Sequence, residues 1–195
     1  MTSFLAYANR TGLDVASTVY VGTHYEYTVS SALTQYGIHA IRVGGASDQG
    51  IDLLGTWSLP SRAENLKVII QCKGGAQRVG PSMVRELEGS FIGAPVGWRG
   101  EGVIAFLVSE KPASKGVRET LGRSRWPMGF ISCSRKGLVQ QMLWNQRAEE
   151  EGLRGIGVTM RHAEDGEGES QIVLTHNGRR ISPTSKEKAE VSDGD

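Results

Sequence analysis

No stretch of the chain runs to the about 18 consecutive apolar residues that a membrane-spanning helix needs, so no span is expected. Cysteine is scarce. Cys72 and Cys133 both sit inside apolar segments, which points to reduced, buried thiols in an intracellular protein and argues against a disulfide scaffold. Neither stands at zinc-ligand spacing from the other or from His24, His39, His162 or His176. No glycine-rich phosphate fingerprint separates the first strand from a helix, which excludes a Rossmann unit. The first twenty residues carry Arg10 as their one base and no apolar stretch leading to a cleavage site, so no targeting signal is displayed there. Either the protein is not targeted through this segment or the chain begins after processing. Net charge is nearly absent too, at +1, but that value hides an asymmetry. Residues 1–147 hold 16 Lys and Arg against 10 Asp and Glu, whereas residues 148–195 hold 6 against 11. The basic excess of the first part is compatible with a phosphate-backbone partner, without requiring one.

What is present suits one domain with a sizeable core. Val21, Tyr25, Val29, Ala32, Leu33 and Tyr36 recur at helical period, predicting a helix over 21–36 that Gly37 stops. Strands are expected at 38–43, 51–59 and 66–73, followed by a helix starting after Gly80 with Pro81 in its first turn. The apolar run VIAFLVS at 103–109 predicts a buried central strand. A short helix at 114–121, a strand at 129–132 and a further helix at 138–150 come next, then strands at 156–161 and 171–175. Asn177-Gly178 predicts a tight turn into 179–181. The expected architecture is α/β, a mixed central sheet flanked by helices in the order αβββαβαβ. Residues 1–20 read as an N-terminal extension, 21–182 as the domain with an elaboration from about 138, and 183–195 as a polar, disordered tail.

Three polar residues interrupt this apolar pattern where chemistry is possible. Strand alternation puts Gln71 and Lys73 on one face of the 66–73 strand, with Lys67 and Ile69. If that strand pairs with the one before it, Asp52, set between Ile51 and Leu53, can face them. A carboxylate, an amide oxygen and the Cys72 carbonyl are hard ligands that suit Mg²⁺ or Mn²⁺. Lys73 would orient or deprotonate an attacking water, or offset charge on a phosphoryl transition state. Glu26 falls at the edge of the first helix's apolar stripe, placed to look toward the sheet as an accessory ligand. Singly, each has a bland reading: a strand-edge Asp, the wet end of a strand, a solvated helix Glu. Asp48, within SDQG, serves equally well as a turn residue. Arg78 and Arg85 are the basic residues nearest the expected site. Lys111, Lys115, Arg118, Arg123, Arg125, Arg135 and Lys136 are more distant candidates for phosphates, with Trp126 as an aromatic surface.

The string GGASDQGIDLLGTW, then VIIQCK, then MVRELEG resembles the Mrr-like branch of the PD-(D/E)xK nuclease superfamily. Within it, the chain looks most like the fungal group named for a requirement in respiratory growth. The resemblance covers roughly residues 20–135. It implies a restriction-endonuclease-like fold and a divalent-metal DNA endonuclease with Asp52, Gln71, Lys73 and Glu26 at its site. It also implies a mitochondrial location. The space before the first helix is too short for a separate DNA-reading module, so structure- or backbone-directed recognition is expected. A homodimer would supply two sites for two strands. The rival readings are a nucleic-acid-binding module that does not cut, an RNA-processing nuclease, and a structural subunit of a larger assembly.

Overall fold

The computed structural model describes residues 4–5, 10–12, 14–44, 50–75, 78–161 and 171–181; Asp48 and the expected tail lie outside these. Helix α1 (Thr18–Leu33) begins earlier than its apolar period suggests because Ser17 caps it, its hydroxyl accepting the Tyr20 N–H at 3.2 Å. A 3-10 turn (Thr34–Tyr36) follows, and Gly37, at φ 78°, ends it. Then come β1 (Ile38–Arg42), β2 (Leu53–Trp57), β3 (Leu66–Lys73), α2 (Pro81–Gly93), β4 (Val103–Ser109), α3 (Lys115–Arg123) and β5 (Met128–Cys133). This is the expected αβββαβαβ order. β1, β2 and β3 are antiparallel, and β3, β4 and β5 are parallel.

One expected element is of the wrong type. Residues 138–150 do not form a helix: Val139–Trp144 is strand β6, antiparallel to β5, and completes a six-stranded sheet in sequence order. Leu138, Met142 and the following polar residues satisfy a helical spacing, but so short an apolar run is ambiguous. Two tertiary facts decide it. Gly137, at φ 81°, allows a tight reversal at Ser134–Leu138, and β5 would otherwise be left as an open edge. The helix starts afresh at Asn145, whose side chain accepts the Ala148 N–H at 3.0 Å to cap α4 (Gln146–Ala148), which runs into a π-helical turn (Glu149–Leu153).

A second, three-stranded sheet consists of β7 (Ile156–Arg161), β8 (Gln171–His176) and β9 (Arg179–Arg180). Asn177 and Gly178, both at positive φ, make the expected turn into β9. Ile156, Ile172 and Leu174 of this unit join the core on the α1 face of the main sheet, with Tyr25, Val29, Leu33, Trp57 and Phe106. The opposite face packs Ile69, Ala105, Leu107 and Phe130 against Val84, Leu87 and Phe91 of α2 and Val117 and Leu121 of α3. β4 is buried along its whole length because both faces are covered. Among the described residues no helix is long and apolar enough to cross a membrane.

Chain direction then fixes what lies where. The C-terminal ends of β3, β4 and β5, the residues entering β2, and the N-termini of α2 and α3 all open on one rim of the sheet. In open α/β sheets, ligands bind outside the carboxyl ends of the strands. Arg123 closes α3 and Arg125–Trp126 lead into β5, so the RSRW segment lies at the opposite rim. Trp126 is neither core nor free surface: its ring stacks on Phe91 at a centroid distance of 4.8 Å and stays 41% exposed.

Two glycines test this packing in opposite directions. A Cβ at Gly55, in the middle of β2, would lie 2.3 Å from the His39 carbonyl oxygen and 2.5 Å from Ala40 Cα on β1, backbone that cannot step aside. Gly55→Ala is expected to cost about 1–3 kcal/mol in urea unfolding. Gly89 lies inside α2 with nothing within 4 Å of an added Cβ. Gly89→Ala should raise stability by roughly 0.5–1 kcal/mol. Equal effects of the two substitutions would contradict the packing described.

Candidate active site

β3 carries the polar residues of the site at its end, on the rim just described. Gln71 is 1% exposed, and the Lys73 side chain is 29% exposed. Gln71, Cys72 and Lys73 lie beside Leu107, Val108 and Ser109 of β4. The amide end of Gln71 meets α2: Nε2 donates to Glu86 Oε1 at 2.7 Å. The Lys73 ammonium donates to the same oxygen at 2.9 Å. Gln71 and Lys73 thus share a face, as alternation requires, and a carboxylate from the helix ties them together. Gln71 Oε1, by contrast, is buried with no hydrogen-bond partner among the described residues.

Asp52 stands where the β2–β3 pairing becomes irregular. Its N–H donates to the Ile70 carbonyl at 2.9 Å, although Leu53 is the register partner of Ile70. Two residues therefore face one, as in a β-bulge. The alternation breaks with it: Ile51 packs in the α2-side core and Leu53 in the α1-side core. The Asp52 carbonyl accepts N–H groups of Val43 and Gly44 at 2.8 and 3.0 Å. Its carboxylate Oδ2 accepts the Cys72 N–H at 2.6 Å, which seats it on the peptide joining Gln71 to Cys72.

Glu26 does turn toward the sheet, at 12% side-chain exposure, and forms an ion pair with Arg42 of β1. Burial above all, then the charges of Asp52 and Glu26, push the Cys72 thiol well above its ordinary range. The thiol therefore stays protonated and offers no thiolate to a metal. Arg78, ahead of α2, and Arg85, in its second turn, are exposed. Further along the rim Glu110 accepts the Gly75 N–H at 2.6 Å and pairs with Arg135 at 2.8 Å. Gly74 is pressed against Tyr25, an added Cβ falling 3.1 Å from the ring, while the Tyr25 hydroxyl donates to the Cys133 carbonyl at 2.7 Å.

Alternation put Gln71 and Lys73 on one face of β3, and there they meet through Glu86; Asp52 reaches β3 at the Cys72 N–H. Sequence reasoning counted Glu86 only as part of a helix motif and did not foresee its contacts. The signal was present, since Glu86 lies three residues after Met83 and four before buried Ser90, flanking the stripe that faces the sheet. Glu26 flanks the apolar stripe of α1 in the same way. Among the described residues, no three His, Cys, Asp or Glu side chains lie close enough to hold a metal ion. The oxygens on offer are those of Asp52 and Gln71. One carboxylate and one amide suit Mg²⁺, which keeps several waters and completes its shell with substrate phosphate.

Fold and site together define an α/β protein with an acid, an amide and a lysine gathered at the rim of a mixed sheet. The family model of Required for respiratory growth protein 7 matches residues 17–65 and 59–161, and the chain belongs to that family. An uncharacterised mitochondrial protein of Schizosaccharomyces pombe is 32% identical over 152 residues, covering 76% of this chain and 60% of that protein. The mitochondrial Required for respiratory growth protein 7 of Vanderwaltozyma polyspora is 39% identical over 61 residues, 30% of this chain and 24% of that protein. The chain thus spans 60% and 24% of the lengths of these curated relatives. Both are mitochondrial proteins, and the expected mitochondrial location holds.

The Glu86 contacts have a pH signature. The hydrogen bond from Lys73 above all holds the Glu86 carboxyl below its ordinary value, against the opposing pull of partial burial. A carboxyl lowered in the folded state adds stability that is fully present above the ordinary glutamate range, near about 4.3. That stability fades as pH falls through the lowered value. Lys73→Met should return the Glu86 titration midpoint, read by carboxyl ¹³C NMR, toward the ordinary range. A midpoint that does not move would contradict the pairing.

Proposed function

We propose that this chain is a metal-dependent nuclease domain that hydrolyses DNA phosphodiester bonds with Mg²⁺ or Mn²⁺, on a restriction-endonuclease-like form of the α/β fold. The observation that carries the reading is Gln71, whose buried Oε1 has no partner among the described residues, next in β3 to Cys72, whose N–H the Asp52 carboxylate accepts. A buried acceptor left unsatisfied costs about 1–3 kcal/mol unless something else uses it. A divalent ion held by Asp52 and Gln71 would use it. When bound, such an ion neutralises charge on a phosphate and lowers the proton affinity of a coordinated water.

The residues of the chain have complementary roles. Asp52 is fixed by backbone on both sides, so its carboxylate is oriented before any ligand arrives. Lys73, partly exposed on the rim, offsets charge that grows on the phosphoryl oxygens in the transition state. Glu26, paired with Arg42, supports the α1 side of the site as an accessory carboxylate. Arg78 and Arg85 and the N-termini of α2 and α3 make the rim attractive to a phosphate backbone. Such groups would meet backbone phosphates, which fits structure-directed recognition in mitochondrial DNA maintenance. A homodimer would place two such sites on two strands.

A second reading, a nucleic-acid-binding module that does not cut, is favoured by one observation. Glu86 holds Lys73, and Arg42 holds Glu26, so two of the four proposed groups are engaged within the protein. Labelled linear, single-stranded and branched DNA and matched RNA, offered with Mg²⁺, Mn²⁺ or EDTA, separate the readings. Metal-dependent DNA cutting that falls by roughly 10²–10⁴-fold in Asp52→Ala and Lys73→Ala is the expected result. Cutting confined to RNA would move the assignment to RNA processing. No cutting of any substrate, with binding unchanged in both variants, would leave the binding module.

A further inference from the structure

We infer that Glu86 is a positioning residue that selects which end of the Gln71 amide faces the metal side of the site and holds Lys73 beside it; the inference rests on the nuclease reading above. An amide is two-ended. Its NH₂ only donates and its oxygen only accepts, whereas an ionised carboxylate only accepts. With Glu86 Oε1 at 2.7 Å, the end of Gln71 that faces α2 has to be the nitrogen. The reversed amide would set two acceptor oxygens against each other in a place where Gln71 is 1% exposed. Oε1 is thereby directed away from α2, and it is this atom that lacks a partner.

Two further contacts hold the arrangement. Gly50, at φ 78°, passes so close that a Cβ there would lie 2.8 Å from Gln71 Nε2, so the amide is wedged between bare backbone and helix. Lys73 donates to the same Glu86 oxygen at 2.9 Å, which couples the ammonium's position to the amide's orientation. A strand ending in Glu-x-Lys would need no such device, because both oxygens of a carboxylate can serve a cation. Gln-x-Lys needs one, and α2 supplies it. Glu86 acts through Gln71 and Lys73 and is not itself a ligand here.

The test uses the whole chain, with Mn²⁺ alone as the probe and no DNA. Free Mn²⁺, read by its EPR signal, should show affinity weakened by about 10–100-fold in Glu86→Leu, the usual effect of removing a group that orients a ligand. Adding Gln71→Glu to that variant should restore affinity, since a carboxylate needs no orienting partner. A folded Glu86→Leu protein with wild-type affinity, or a loss that Gln71→Glu does not rescue, would overturn the inference. A second readout is independent of metal. The Gln71 side-chain NH₂ protons should be protected from exchange in the wild type and lose that protection in Glu86→Leu. If the wild type binds no Mn²⁺ but the protection behaves as stated, the nuclease reading fails while the orienting role of Glu86 survives. Unprotected NH₂ protons in the wild type would end the latter.

Discussion

Gln71 is an amide at the end of a strand whose two faces are both covered by packed apolar side chains, and an amide so placed must satisfy both its ends or keep one in reserve. Its nitrogen is satisfied by Glu86 and its oxygen is not satisfied by any described residue. Folding alone would favour a Leu or Val here, as at the other buried positions of β3. The surrounding structure is arranged to tolerate the cost. Gly80 and Pro81 start α2 at the rim so that its second turn delivers Glu86, and Gly50 leaves room for the amide nitrogen. A local departure from the best-packed choice, supported on every side, is what distinguishes a site from a defect.

Asp52 is held in a different way from the other carboxylates of the rim. Glu26, Glu86 and Glu110 each pair with a cation, Arg42, Lys73 and Arg135 respectively. Asp52 is bound at its N–H, its carbonyl and its carboxylate by backbone groups of β3 and the segment after β1. A backbone N–H fixes a carboxylate's position through a directed hydrogen bond. Placement therefore comes from the β-bulge, and it is precise because the sheet around it is rigid. The ion pairs elsewhere on the rim moderate its negative charge, so that three further carboxylates need not repel an approaching anion.

Much of this was legible in the sequence, for physical reasons that differ by element. β3 and β4 were read to the residue because a run such as VIAFLVS, buried on both faces, has no competing explanation between its flanking turns. The hairpin of β2 and β3 followed from adjacency, and with it the approach of Asp52 to the end of β3 at Cys72. The bulge was not legible, since nothing in Ile51-Asp52-Leu53 announces that alternation breaks there. β6 was misread because its apolar positions fit either period and only the open edge of β5 decides between them. The contacts of Glu86 needed the tilt of α2 over the sheet, which sequence spacing narrows to a face but not to an atom.

The basic residues singled out from the sequence divide once the topology is known, and the division bears on what the rim is for. Lys111 and Lys115 follow β4, Arg118 lies in the first turns of α3, and Arg135 and Lys136 sit in the β5–β6 reversal. All of these, with Arg78 and Arg85, belong to the rim that holds Asp52, Gln71 and Lys73. Arg123, Arg125 and Trp126 belong to the other end of the sheet, where strands of 6–8 residues separate them from the site. At about 3.3 Å per residue that is roughly 20–25 Å, beyond the Debye length of about 8 Å at physiological salt. Cations at the near rim can therefore act on a phosphate that reaches Lys73, whereas those at the far rim act on it only through a ligand long enough to touch both. Seven of the basic residues singled out from the sequence thus share a rim with the acid, amide and lysine, an arrangement compatible with a phosphodiester ligand.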